Sequence, residues 1–452
     1  MLTKSLGQTL AQIGLSSQSQ PRKNKLSPSP SLSLLIMTQF FPPDFAATGQ
    51  LIEELVRELD CLETDVSVFT GQPGYAFAAD KAPAVEKTNN IWIKRSRMSS
   101  FFPTSLLGKA INGFLFAMRC VLYLARYASR HEVLMVTTAP PFLPVIGYLA
   151  NLFFGIPYVC LLYDLYPDIA VELDVIKPNH PLVALWRYIN RKVWLRAARI
   201  IVLSPSMKQH VIQRCPAADG KISVIHSWSN AEKIVPIPKE ENWFAKEHSL
   251  IDHFVVLYSG NMGRCHDTDT LFEAALKLKD KPILFVCIGG GAKRSALKEA
   301  AEAANLNNFR FLPYQEKSVL PYSLTAGDLS LVSIASGMDD LIAPSKLYPA
   351  MAAGRPIAAI CPRNSYLRPL LDLAQGGQAF DNGDADSLAQ YIQYLSQNRS
   401  KADQIGEAGR RYMQAHFTAE LIAHQYLETL KAASTKKHAC DTVSESLQVG
   451  IG

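Results

Sequence analysis

The stretch Ala343-Pro344-Ser345-Lys346-Leu347-Tyr348-Pro349-Ala350-Met351-Ala352-Ala353-Gly354-Arg355-Pro356 decides how the rest of the chain reads. An apolar run, Leu329 to Ser333, precedes it across a turn-rich loop at 335–340, and a second run, Ile357 to Ile360, follows it. That order predicts a strand, a helix and a second strand. Pro344 suits the start of the helix, Ser345 is placed to cap it, and Gly354-Arg355-Pro356 stops it. A helix that opens with Ser-Lys behind a strand offers N–H groups and one cation to a phosphate. An ordinary buried helix of an α/β sheet has the same pattern, so the reading needs a second phosphate-facing element.

Phe254 to Arg264, FVVLYSGNMGR, supplies it. The strand Val255 to Tyr258 runs into Ser259-Gly260-Asn261-Met262-Gly263-Arg264, and a helical pattern begins near Asp267. Gly260 and Gly263 permit a tight turn and close backbone approach, and Arg264 can hold phosphate oxygens bidentately. A third loop, Gly289-Gly290-Gly291, follows the strand Ile283 to Cys287. None of the three is a GxGxxG or a GxxxxGK[ST] phosphate loop. Three such turns in one domain point to a nucleotide-bearing ligand at the carboxyl ends of a parallel sheet.

The chain has 452 residues, 48% hydrophobic and 19% charged, which suits two or three globular domains. Its eight cysteines show no CxxC pair, so neither a zinc site nor a disulfide framework is indicated, and a cytoplasmic setting is the simpler reading. Residues 1–31 read as a disordered extension with no signal-peptide core. A first domain spans 32–235, opening with a βαβ unit whose first turn carries Thr48 and Gly49. A charged, proline-bearing linker occupies 236–250, a second domain 251–415, a helix 416–432 and a loose tail 433–452. Residues 1–235 carry 24 Lys/Arg against 16 Asp/Glu, a net of +8; the remainder carries 22 against 24, a net of −2.

Between residues 87 and 130 lie eight basic residues and no acid, interleaved with Phe101, Phe102, Phe114, Phe116, Tyr123 and Tyr127. That mixture suits an anionic membrane surface, or a buried helix whose arginines reach solvent. Nucleic acid is set aside as a partner, because the chain shows no RNA-binding signature. Val133 to Tyr163 has no charge, but Pro140-Pro141 and Gly155-Ile156-Pro157 break it into strand, helix and strand, too short to span a bilayer. The second of these strands leads into Asp164-Leu165-Tyr166-Pro167-Asp168, which places Asp164 where ligands bind in open α/β sheets and Asp168 at a helix start.

SGNMGR, the GGG loop, Ala326-Gly327-Asp328 and PSKLY…MAAGRP resemble, in this order, the donor domain of family-four retaining glycosyltransferases of the GT-B fold. The likeness runs from about Leu32 to Lys431 and is nearest the bacterial exopolysaccharide and lipopolysaccharide branch. It implies an α/β GT-B architecture, two Rossmann-like parallel-sheet domains facing across a cleft. It implies a nucleotide-diphosphate sugar as donor substrate, no cofactor and no bound metal, and a lipid-linked or saccharide acceptor. Asp164, Arg264 and Lys346 become the catalytic candidates, with Asp164 facing the acceptor. Gly49, Gly260, Asn261, Gly263, Gly290, Tyr314, Asp340 and Ser345 become the donor-binding candidates, Tyr314 near the base. The expected location is the cytoplasm, peripheral on the inner face of the membrane, with 87–130 in contact.

Three departures from the family pattern stand out. Leu341 and Pro349 occupy the places where many relatives carry Glu-x7-Glu, which leaves Asp339 and Asp340 as alternative partners for sugar hydroxyls. The Lys that usually follows the SGNMGR arginine is not evident. His226-Ser227-Trp228-Ser229-Asn230 matches its counterpart only in part, and His226 reads as structural. Asp267-Thr268-Asp269 resembles a metal-binding DxD but sits at a helix start, where capping is the preferred reading. A sugar-nucleotide epimerase of the same fold and a non-catalytic assembly factor remain the rival functions.

Overall fold

The computed structural model of the protein describes residues 32–44, 46–73, 82–96 and 106–448. The extension at 1–31, and Arg97, Phe101 and Phe102 of the basic stretch, fall outside them. The first sheet contains β1 (Leu32–Met37), β2 (Thr64–Thr70), β3 (Val85–Thr88), β4 (Ile91–Arg95), β5 (Val133–Thr137), β6 (Tyr158–Leu162), β7 (Arg199–Val202) and β8 (Ile222–Val224). Their order across the sheet is β3-β4-β2-β1-β5-β6-β7-β8, and only the β3–β4 pair is antiparallel. Sequence periodicity does not reveal that hairpin. Val85–Thr88 is a polar, largely exposed edge, and the turn after it depends on Asn89 at φ 50°.

The second sheet contains β9 (Phe254–Ser259), β10 (Ile283–Ile288), β11 (Phe309–Leu312), β12 (Leu329–Ser333), β13 (Ile357–Ile360) and β14 (Gly377–Phe380). It is parallel throughout, in the order β11-β10-β9-β12-β13-β14. β5, β6, β10, β12 and β13 are buried at every position, which explains their uninterrupted apolar sequences. Each sheet reverses its winding once, between β1 and β5 in the first and between β9 and β12 in the second. Those two switch points open crevices at the carboxyl ends of the strands.

The segment joining the lobes is not slack. Lys239 donates to Asp328 at 2.5 Å and to the His253 carbonyl at 2.7 Å. Fully buried Asn242 caps the short helix Trp243–Glu247, and Arg355 of the deciding stretch donates to the carbonyls of Ile237 and Thr325. The helix Leu143–Phe154 lies between β5 and β6 and stops at Gly155, in the left-handed region at φ 67°. Among the described residues no helix is long and apolar enough to cross a membrane. The last helix, Ala419–Gln448, returns to the first lobe and packs on the Ala47–Cys61 helix, with Tyr426 edge-on to Trp228. It stays helical through Gln448, where the sequence suggested a loose tail from 433.

Candidate active site between the lobes

The β9 and β12 loops meet at the second lobe's switch point. Gly260 adopts φ +127°, and a Cβ there would stand 2.8 Å from Cε of Lys346. The missing side chain is what lets Lys346 lie across the turn. Gly289, at φ +128°, lies so close behind that its Cβ would meet the Gly260 carbonyl oxygen at 2.3 Å. Two backbone bonds lock the β9 loop to the β10 loop, Gly260 N–H to Ile288 O at 2.8 Å and Met262 N–H to Gly290 O at 2.7 Å. Asn261 packs beside Gly263 and Gly291, and the Tyr314 ring rests against Gly290.

Lys346 is held by a buried histidine. His266 Nδ1–H donates to the Ser333 carbonyl at 2.7 Å, which leaves Nε2 as the acceptor for the Lys346 ammonium at 3.1 Å. Burial, with the Lys346 charge behind it, pushes His266 down to about 3, so the ring stays neutral and keeps its tautomer. Loss of water around Lys346 lowers it to about 8, and its Nζ stands 5.4 Å from the centre of the Tyr258 ring. An ammonium with so few solvating partners gains strongly from an arriving anion. Sequence reasoning sought the missing cation after Arg264 and passed over His266; its place beside the motif was the available signal.

Ser345 does not cap the helix. The helix begins at Leu347 with no side-chain cap, and Ser345 instead lines a cavity of about 260 Å³ between the lobes. Leu257, Leu324, Leu331 and Pro349 give that cavity an apolar floor, and Gly260 and Lys346 form one end. Lys317 spans its first-lobe rim, 3.4 Å from Glu53 and 3.3 Å from Glu54. Pro349 therefore presents an apolar surface where many relatives present a carboxylate. Leu341 is buried and its carbonyl accepts from Leu165 N–H at 3.1 Å across the lobes.

Asp164 meets the second lobe through its backbone. Its N–H donates to Thr138 Oγ1 at 3.3 Å, and its backbone forms an antiparallel bridge with Ile342 of the second lobe. Burial raises its carboxyl to about 6. Arg264 reaches the other way and donates to the Leu173 carbonyl of the first lobe at 2.7 Å. Cys265 follows Arg264 in the chain, and burial is the main cause that raises its thiol above the ordinary value. Gly49 is not among the cavity-lining residues. A Cβ there would stand 3.0 Å from the Phe40 backbone, so the glycine serves the packing of the helix start.

Asp340, expected at sugar hydroxyls, turns to His210 of the first lobe at 2.7 Å. His210 Nε2 is 3.4 Å from Asp168, which also takes Arg187 at 2.5 Å and Arg214 at 2.8 Å. Burial opposes charge on both groups, yet contacts from His210, Arg187 and Arg214 hold Asp168 down to about 2. The two carboxylates likewise outweigh burial and raise His210 above its ordinary value. This bridge between lobes contributes fully below pH about 6.5 and is lost as pH rises through the raised His210 value. With Asp340 half exposed, its worth is at most about 1 kcal/mol. His210→Ala should open the ligand-free protein, read as a larger radius of gyration in small-angle scattering at pH 6 and little difference at pH 9.

Other residues have structural duties. Asp267 accepts from the N–H groups of Asp269 and Thr270 at 3.1 and 2.9 Å and from Asn382 at 2.8 Å, the capping role. His226 bonds the Tyr348 hydroxyl at 3.0 Å in an aromatic nest with Tyr366 and Phe417, and burial lowers it to about 4.

Two Rossmann-like lobes facing across a cavity at their switch points have the architecture of the GT-B glycosyltransferase class. A family model described as Glycosyltransferase Family 4 matches residues 48–233, and one described as Glycosyl transferases group 1 matches 239–412. The chain belongs to the family-four glycosyltransferases of the GT-B fold. It is 26% identical over 324 residues to a probable glycosyltransferase, WbjE, of Pseudomonas aeruginosa, covering 71% of this chain and 78% of that one. It is 31% identical over 157 residues to WcaI of Escherichia coli, a putative colanic acid biosynthesis glycosyl transferase, covering 34% and 38%. The fold matches Anabaena HepE, solved in complex with UDP-glucose, at TM-score 0.66 and 16% identity, over 89% of this chain and 100% of that one.

Proposed function

We propose that the protein transfers a hexose from a nucleotide-diphosphate sugar to a lipid-linked or saccharide acceptor of a cell-envelope polysaccharide, with retention at the anomeric carbon. The observation that carries this reading is Lys346, partly desolvated against a neutral His266 and lying over Gly260 at the switch point. The apolar cavity beside it suits a nucleoside, and the UDP-glucose complex of HepE and the naming of WcaI support donor class and pathway type. The bond from the anomeric carbon to the β-phosphate oxygen breaks as the acceptor oxygen closes on the same face. Lys346 and Arg264 receive the charge that grows on the departing diphosphate. Asp164, on the facing lobe, accepts the hydrogen bond or the proton of the acceptor hydroxyl. Closure of the lobes excludes water and limits hydrolysis of the donor.

The place of action we assign is the inner face of the cytoplasmic membrane. Incubation with a panel of labelled nucleotide sugars and lipid extract tests the whole reading. A labelled lipid product is expected. A free epimerised nucleotide sugar would establish the epimerase instead, and binding without turnover the assembly factor.

A further inference from the structure

Two polar groups in residues lining the interlobe cavity, the Ser330 hydroxyl and the Trp228 indole N–H, are buried without a hydrogen-bond partner among the described residues. Each of the two residues is only 3% exposed. Buried polar groups are ordinarily paired, because an unpaired one costs stability. Ser330 belongs to β12 and is the register partner of Leu257 in β9, so both side chains leave the sheet on the same side, where Leu257 forms part of the cavity floor. Trp228 follows β8 of the first lobe, and its indole nitrogen donates but cannot accept.

The rest of the wall offers little to a ligand that donates. Glu54, the one acid among the cavity-lining residues, is held by Lys317 at 3.3 Å. The Asn230 amide oxygen accepts from the N–H groups of Glu232 and Lys233 at 3.0 and 2.9 Å. A ligand that suits this space therefore brings acceptors to Trp228 and Ser330 and apolar surface to the leucines.

We propose that Trp228 and Ser330 select the base of the donor nucleotide as a pyrimidine-2,4-dione, uracil or thymine. The inference rests on the nucleotide-sugar reading and narrows it. With the diphosphate at Lys346, the nucleoside extends along the apolar floor. A 2,4-dione has two carbonyl acceptors, one for each donor, and a single ring N–H. Cytosine exchanges one carbonyl for an amine. Ser330 could turn its hydroxyl to accept from that amine, but the second amine hydrogen would meet an apolar floor. Guanine also carries an amine, and adenine has no carbonyl for Trp228.

The test compares dissociation constants of uridine, thymidine, cytidine, guanosine and adenosine diphosphates for the full chain and for Ser330→Ala and Trp228→Phe. Wild type should bind the two dione compounds at least tenfold more tightly than the other three. Uridine and cytidine diphosphates share their ribose, so their ratio isolates the base. Each variant should lose about tenfold for uridine diphosphate and keep its affinity for the cytidine and purine compounds. Trp228→Phe retains a ring beside Tyr426 and removes the N–H. The ligand-free thermal midpoint of Ser330→Ala should not fall, since the hydroxyl has no partner to lose. A cytidine or purine diphosphate bound as tightly as uridine diphosphate overturns the proposal, as do variants with wild-type selectivity. A lower midpoint for Ser330→Ala reveals a structural partner and overturns it as well. Diphosphate binding without preference among bases removes the base selection and leaves the transfer reading standing. Binding of none of the five overturns both.

Discussion

Lys346→Ala should lower kcat about 10²–10³-fold, or ~2.7–4 kcal/mol of transition-state stabilisation. The loss should fall on kcat more than on KM, because full charge reaches the leaving diphosphate only as the glycosidic bond opens. The protein should stay folded. Among the described residues Lys346 hydrogen-bonds the side chain of His266 and lies over the Tyr258 ring, and neutral His266 keeps its Ser333 partner when the lysine is removed. Lys346→Arg keeps a cation but is longer and planar, and Gly260 leaves room fitted to a lysine stem, so partial recovery is expected. A steady-state assay with the donor found in the panel decides it. Alanine variants with more than half of wild-type turnover would remove Lys346 from the mechanism.

The second large effect concerns pH and Asp164. In the free enzyme kcat/KM should follow a bell with limbs near the Asp164 and Lys346 values, about 6 and about 8. Asp164 must be ionised to accept from the acceptor hydroxyl, so activity falls as pH drops through the lower value. Lys346 must be protonated to meet the diphosphate, so activity falls as pH rises through the upper one. Asp164→Asn should cost about 10²–10⁴-fold and flatten the acid limb. Lys346→Arg should move the alkaline limb beyond the accessible range, since guanidinium stays charged. An acid limb that survives in the asparagine variant would place the titrating group elsewhere, and His210 would be the next to examine.

How much of this was legible depends on the range of the interaction. Strands buried on both faces announce themselves as uncharged runs, so β5, β6, β9, β10 and β12 could be read as strands, whereas the order across each sheet depends on pairings the runs do not encode. Lys346 was legible as a cation at the switch point because it sits in a strand–helix motif. What escaped were pairings between positions far apart in the chain. Nothing near Asp340 in sequence points to His210, and nothing near Lys346 points to His266 as its acceptor. Ser345 reads as a cap because Pro-Ser at a helix start usually is one, but the turn of the chain at Lys346 starts the helix a residue later. The edge hairpin β3–β4 escaped for the opposite reason. Its outer strand is polar and short, and partner strands rather than its own pattern define it.

The central claim is that cationic groups of the second lobe hold the diphosphate of a sugar nucleotide at the gap between lobes. Calorimetric titration with a set of nucleoside diphosphates, run in parallel on wild type and Lys346→Ala, tests it most directly. At pH 7, below the Lys346 value of about 8, one diphosphate should bind wild type and lose at least tenfold in affinity to the variant. Equal affinity for the two proteins, or no binding of any diphosphate to wild type, would contradict the account.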